Sequence, residues 1–269
     1  MNEIYGKDEL PLQSLSSLPA DGGFTGIFRK IGCIGDSLSS GEFQAKNEAG
    51  SPTYHDCFDY SWGQYMARIA GTTVVNMSRG GMTAKEYFDS FATDNGYWKD
   101  AETCDAIIIA LGVNDVSQIL AGNLEMGENT DFDPKRPFEA KNTFFGYMAR
   151  IIYKIKGQNP YCHFFLVTLP DENGDSARET LNGLHRERIY QLAEMFSHIH
   201  VIDLRKYAPV YGKEFRSHFF LDGHMNPAGY LFTAKLMCGY IDYIVRHEPD
   251  MFMQVAFTHS PIFHPDYFK

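Results

Sequence analysis

Several residues of this chain have the types needed for covalent acyl chemistry. Ser37 stands in Gly35-Asp36-Ser37-Leu38-Ser39-Ser40-Gly41, just past the apolar run 31–34. A serine hydroxyl is a weak nucleophile until a neighbouring base takes its proton. His224 is the natural base, because imidazole titrates near neutral pH. Asp222 lies two residues before it and would hold the imidazole tautomer and stabilise the imidazolium. Gly80-Gly81 and Gly112-Val113-Asn114-Asp115 follow two other strand-like runs and offer donors for a developing oxyanion. A nucleophile, a base with a carboxylate and oxyanion donors together describe acyl transfer through an acyl-serine.

These groups need a scaffold that brings them to one place. Five apolar or β-branched runs read as strands: 29–35, 72–77, 105–111, 162–169 and 200–204. The runs 105–111 and 162–169 show no alternation, so both of their faces are expected to be buried, as in a parallel sheet. Helical spacing falls between the strands, at 59–69, 83–93, 138–156 and 181–196, and a closing helix runs from Asn226-Pro227 to about 247. Alternating strands and helices argue for a parallel sheet with helices on both faces, a three-layer α/β/α domain with a five-stranded sheet. In such a sheet all strand ends open on one edge. Residues 1–28 read as an N-terminal arm, 29–247 as the domain and 248–269 as a tail packed on it. The stretches 39–57 and 121–137 read as polar loops.

Composition narrows the partners. The 269 residues carry a formal net charge of -10. That argues against nucleic acid or an anionic membrane, both of which need clustered Lys and Arg. The five cysteines, Cys33, Cys57, Cys104, Cys162 and Cys238, include no C-x-x-C pair, which suits a reducing compartment. The first ten residues have neither a basic n-region nor an apolar h-region, and no run approaches the ~20 residues of a membrane span. The expectation is a soluble, cytoplasmic protein acting on a small molecule.

The motifs are more specific together than singly. Gly35-Asp36-Ser37-Leu38, Asn76-Met77-Ser78-Arg79-Gly80-Gly81, Gly112-Val113-Asn114-Asp115 and His224-Met225-Asn226-Pro227-Ala228-Gly229-Tyr230 resemble, in order, four blocks of the SGNH (GDSL-type) hydrolase family. The resemblance implies a flavodoxin-like fold and catalysis by Ser37, His224 and Asp222. It also implies an oxyanion hole of the Ser37 and Gly81 N–H groups with the Asn114 amide, and no metal or organic cofactor. One departure stands out: the family has its Asp three residues before the His, and here the gap is two. Asp203 is the alternative carboxylate and His218 the rival base. Asp36 reads as a cap rather than a catalytic acid. Tyr54, Trp62 and Tyr65 could line an acyl or sugar pocket, or simply pack in the core.

The family's substrates range from acetylated sugars to lysophospholipids and thioesters. Polar loops without a long greasy lid favour a small acyl group, such as acetyl on a carbohydrate. Acyl transfer to an alcohol and a binding module without catalysis are the alternatives.

Overall fold

The computed structural model describes residues 21–174 and 176–267. β1 (Lys30–Gly35) is followed by the hairpin strands β2 (Glu42–Lys46) and β3 (Pro52–Asp56). Then come β4 (Thr73–Ser78), β5 (Ala106–Ala110), β6 (His163–Val167) and β7 (Ile199–Ile202). A short ribbon, β8 (Phe220–Leu221) and β9 (His224–Met225), comes late in the chain. The main sheet has the order β4-β1-β5-β6-β7, and every pair in it is parallel. Counting only its own strands, the order is 2-1-3-4-5, the flavodoxin-like arrangement. The fold expected from the sequence is the one observed.

The sheet is apolar on both faces, and its side chains divide with period two. Ile31, Cys33, Ile108 and Phe165 face one helical layer. That layer contains α2 (Trp62–Ala70) and the long α7 (Pro227–His247). Ile34, Ile107, Ile109, Phe164 and Leu166 face the other, with α4 (Phe144–Gln158) and α5 (Ser176–Met195). Ile107, Ile108 and Ile109 are wholly buried. Each such side chain contributes about 1.5–3 kcal/mol over leaving it exposed.

Local chemistry sets the helix ends. Ser61 caps α2 by accepting from Gln64 N, and Gly71 closes it at φ 68°. Thr143 caps α4 through Gly146 N. Asn226 caps α7 through Gly229 N at 2.9 Å, and Pro227 takes the first helical position, where no N–H is needed.

Several boundaries differ from the sequence reading. The expected loop 39–57 contains the β2–β3 hairpin, whose strands are polar and largely exposed and so lack the apolar alternation that marks a sheet strand. The helix expected over 83–93 forms as residues 84–94 with a π turn at Tyr87–Phe91. Among the helices not anticipated are α3 (Val113–Leu120) and α6 (Lys213–Phe219). Residues 1–20 of the expected arm lie outside the described residues. Its end, Gly23–Ile27, is a 3₁₀ turn docked on α7, with Phe24 N donating to Asp242 Oδ1 at 2.9 Å. In the tail, Phe252 stacks on His163 with ring centroids 4.5 Å apart. Among the described residues no helix is long and apolar enough to cross a membrane.

Candidate active site

β1 lies between β4 and β5, with Gly35 in register with Ser78 on one side and Ala110 on the other. The turns that follow these three strands therefore emerge side by side. They carry Ser37, Gly81 and Asn114. The strand order reverses between β1 and β5, and crevices at such a point are where open α/β sheets bind ligands.

The nucleophile candidate sits on α1 (Ser37–Ser40), a single turn that starts at the end of β1. Asp36 caps this turn by accepting from Leu38 N at 3.0 Å, the structural role expected for it. Ser37 is the first helical residue, so its own N–H has no acceptor within the turn. Asp36 is buried, and that burial raises its pKa to about 7. Gly41, at φ 77°, ends α1 and turns the chain into β2.

The other two turns are tied to each other. Asn114 Nδ2 donates to Met82 O at 3.1 Å, and Ala84 N donates to Asp115 Oδ1 at 3.0 Å. One amide hydrogen of Asn114 is spent on this contact, and the second remains. Gly81 is exposed, at φ 74°, in the turn after β4. Burial and the nearby Asp36 carboxylate raise the pKa of Asp115 to about 7.

His224 opens β9, and the carboxylate on it is not the expected one. Glu42 Oε1 lies 3.0 Å from His224 Nε2, and both side chains are about 15% exposed. Asp222 instead faces Lys46, at 3.6 Å, with its side chain 44% exposed. Among the described residues the expected contact between Asp222 and His224 does not form. Asp222-Gly223 is the two-residue turn joining β8 to β9, where Leu221 pairs with His224. Asp222 has φ 54°, so the segment is not extended and the i, i+2 pair does not share a side. The Asp-Gly dipeptide is itself a hairpin signal and could have shown this in the sequence. Gly223 N donates to Gln44 Oε1 at 2.9 Å, which docks the turn on β2.

Burial lowers the pKa of His224, and Arg216 acts in the same direction against the opposing pull of Asp56. A neighbouring carboxylate by itself favours the charged ring and raises its pKa, but desolvation dominates. The Nδ1 atom of His224 is buried and has no hydrogen-bond partner. The ring of Tyr54, a half-exposed residue of β3, meets the imidazole edge-on with centroids 5.7 Å apart.

Ser37, Asn114 and His224 line one cavity of about 260 Å³. Its lining is largely apolar, with Leu38, Trp62, Val113, Leu169, Leu204 and Met237. Glu172 and Arg216 stand among its polar residues. A wider depression of about 610 Å³ is lined by Arg29, Lys30, Asp105 and His259, residues at the amino edge of the sheet, and holds none of this chemistry.

The rivals are placed elsewhere. Asp203 is buried, caps the turn Leu204–Tyr207 and binds Arg186 Nη2 at 2.7 Å and Tyr190 Oη at 2.8 Å. His218 is exposed; its ring meets Glu214 O and Ser217 Oγ within α6, and its carbonyl accepts from Asn226 Nδ2 at 2.8 Å. Tyr65 packs against the core from α2. His163 and His200 contact each other at 3.2 Å behind Phe252. Among the described residues no group of three His, Cys, Asp or Glu side chains could hold a metal ion.

A flavodoxin-like sheet with a serine after its first strand defines an α/β protein of the SGNH hydrolase fold. The sequence profile of the GDSL-like Lipase/Acylhydrolase family matches residues 33–231, and the chain belongs to that family. Solved structures agree on the fold. A carbohydrate esterase family 2 enzyme with a carbohydrate binding domain, from Corynascus thermopiles (Myceliophthora fergusii), is 16% identical with a TM-score of 0.55, over 81% of this chain and 67% of that one. A Clostridium thermocellum family 3 carbohydrate esterase is 17% identical with a TM-score of 0.51, over 81% and 97%. The psychrotrophic esterase EstA from Pseudoalteromonas sp. is 15% identical with a TM-score of 0.50, over 81% and 99%. A comparison with curated protein sequences returned no match.

Proposed function

We propose that this protein hydrolyses carboxylic esters through an acyl-Ser37 intermediate, with His224 as general base and acid. The observation that carries this reading is the single cavity on which Ser37, Asn114 and His224 converge. His224 takes the hydroxyl proton as Ser37 Oγ attacks the ester carbonyl. The Ser37 and Gly81 N–H groups and the free Asn114 amide hydrogen receive the developing oxyanion. The leaving alcohol takes the proton from His224, and water then releases the acid by the same steps in reverse. Asp222 has no part in this scheme.

The substrate is a small acyl ester of a polar alcohol, such as an acetylated carbohydrate. The apolar lining suits the acyl methyl or a short chain. The exposed Tyr54 ring beside His224 offers a sugar a flat surface. The carbohydrate esterases among the structural neighbours are in keeping with this, though their likeness extends to the fold alone.

The test is a series of p-nitrophenyl esters of increasing chain length beside acetylated sugars, run with the parent protein and with Ser37→Ala. The parent should turn over the short esters and release acetate from the sugars. Ser37→Ala should be inactive with an unchanged thermal transition. An unchanged turnover number in that variant would end the serine-hydrolase reading. A preference for long chains would overturn the small-acyl assignment.

A further inference from the structure

We infer that Glu42 is the carboxylate that positions His224, and that the imidazole works with its Nδ1 atom toward the nucleophile. The inference rests on the ester-hydrolase reading above. Its first support is geometric: Glu42 Oε1 is 3.0 Å from Nε2, whereas Asp222 has turned to Lys46. An imidazole has two nitrogens. With Nε2 engaged by Glu42, Nδ1 is the one left to accept a proton, and it is buried and unpartnered.

The surroundings hold Glu42 in place. Tyr230 is wholly buried and donates its hydroxyl to Glu42 O at 2.6 Å. Gly41 fixes the chain just before it in the left-handed region, where glycine is at ease. A Cβ at Gly80 would overlap the Glu42 carboxylate, so the glycine after β4 lets that carboxylate pass. Glu42 thus lies between the β4 turn and the imidazole, and it follows Ser37 by a single helical turn.

The charges facing this pair are few. Asp56 and Tyr54 approach from β3, Arg216 from α6 and Asp36 from the end of β1. Burial and Asp56 both raise the pKa of Glu42. A hydrogen donated from Nε2 would work against this by favouring the carboxylate.

The proton path balances in this orientation. The Ser37 proton passes to Nδ1 while the Oγ–carbonyl carbon bond forms and the carbonyl electron pair moves to oxygen. Collapse breaks the bond to the leaving alkoxide, which takes the proton from Nδ1. Water then gives a proton to Nδ1 as it attacks the acyl carbon. The Oγ bond breaks, and Ser37 takes that proton back. Nε2 keeps its hydrogen throughout, donated to Glu42, which stabilises the transient imidazolium and fixes the ring. Glu42 is a positioning residue, since it acts through His224.

The experiment has two arms. In the parent protein, ¹⁵N–¹H correlation spectra of the His224 ring at pH 8 should show the proton on Nε2. A proton on Nδ1 with a bare Nε2 overturns the assignment, and this arm needs no variant to fold. In kinetics, Glu42→Gln should lower kcat by about 100- to 10,000-fold with little change in KM. It should also move the acid limb of kcat/KM to lower pH, because a negative charge that favours imidazolium is gone. Glu42→Asp should recover part of the rate, and Asp222→Asn should keep the parent's kcat. Parent-like kcat and pH profile in Glu42→Gln, with Ser37→Ala inactive, sinks this inference and leaves the hydrolase reading standing. Full activity in Ser37→Ala removes the ground beneath both.

Discussion

Asn114→Ala separates an observed job of one side chain from a proposed one. Its Nδ2 carries two hydrogens, and the structure assigns one of them to Met82 O at 3.1 Å. That bond ties the β5 turn to the β4 turn, where Gly81 lies. Its loss should cost about 1 kcal/mol of stability, the usual net worth of such a bond. In a domain of this size that is a fall of about 2–4 °C in the thermal transition. The second hydrogen is the proposed oxyanion donor, and removing one such donor costs about 3 kcal/mol in the transition state. The turnover number should therefore fall about 100- to 1,000-fold, with KM nearly unchanged because the contact forms mainly in the transition state. Steady-state kinetics on a short p-nitrophenyl ester reads the second loss, and calorimetry reads the first. A lowered transition temperature with full activity would mean that Asn114 only ties the turns together. A pure KM effect would mean that it binds the ground-state substrate.

Two further outcomes follow from buried histidines. The acid limb of kcat/KM should have its midpoint below the ordinary 6.5 of histidine, since burial and Arg216 lower the pKa of His224; a midpoint above 7, or no limb at all, contradicts this. His185 and His200 should stay neutral in ring NMR titrations until about pH 4, both held down by burial. The unfolded chain takes up these protons first as pH falls below about 6.5, so each residue's contribution is full above that pH and lost between 6.5 and 4, by about 3 kcal/mol. Titration of either ring near 6.5 in the folded protein would refute the burial argument.

Much of the fold could be read from the sequence because the strands of a doubly covered sheet are nearly pure hydrocarbon. The run 105–111 announced β5, and the turns after β1, β4 and β5 had to meet on one edge. The family blocks of the closing segment have direct physical explanations. Asn226 caps α7, Pro227 starts it, Gly229 lets Phe219 O approach, and Tyr230 reaches back to Glu42 O. The β2–β3 hairpin was hidden because it stands apart from the main sheet and buries little, so its strands are built from Gln44, Lys46, Thr53 and His55. Its only local signal is the turn at Asn47, whose side chain accepts from Ala49 N and Ser51 N. Glu42 was hidden with it, since a lone acidic residue in a polar stretch looks like solvated surface.

Asp222 misled for the opposite reason, because nearness in the chain was taken for nearness in space. A residue two places from the base can meet it only if the segment between them is extended, and a tight turn forbids that. The carboxylate that does meet the imidazole lies 182 positions away in sequence and arrives on a ribbon that begins where the helical turn of Ser37 ends. That ribbon serves the site at several points. Asp56 accepts from Ser40 Oγ at 2.6 Å, Tyr54 meets the imidazole edge-on, and Gln44 holds the turn that carries Asp222. In the proposed scheme the stretch from Asp36 to Asp56 therefore supplies the nucleophile, its cap, the carboxylate and one wall around the base. Only His224 itself has to be delivered from the far end of the chain. β9 docks on β2, so changes in the exposed hairpin should be felt at the part-buried ring of His224.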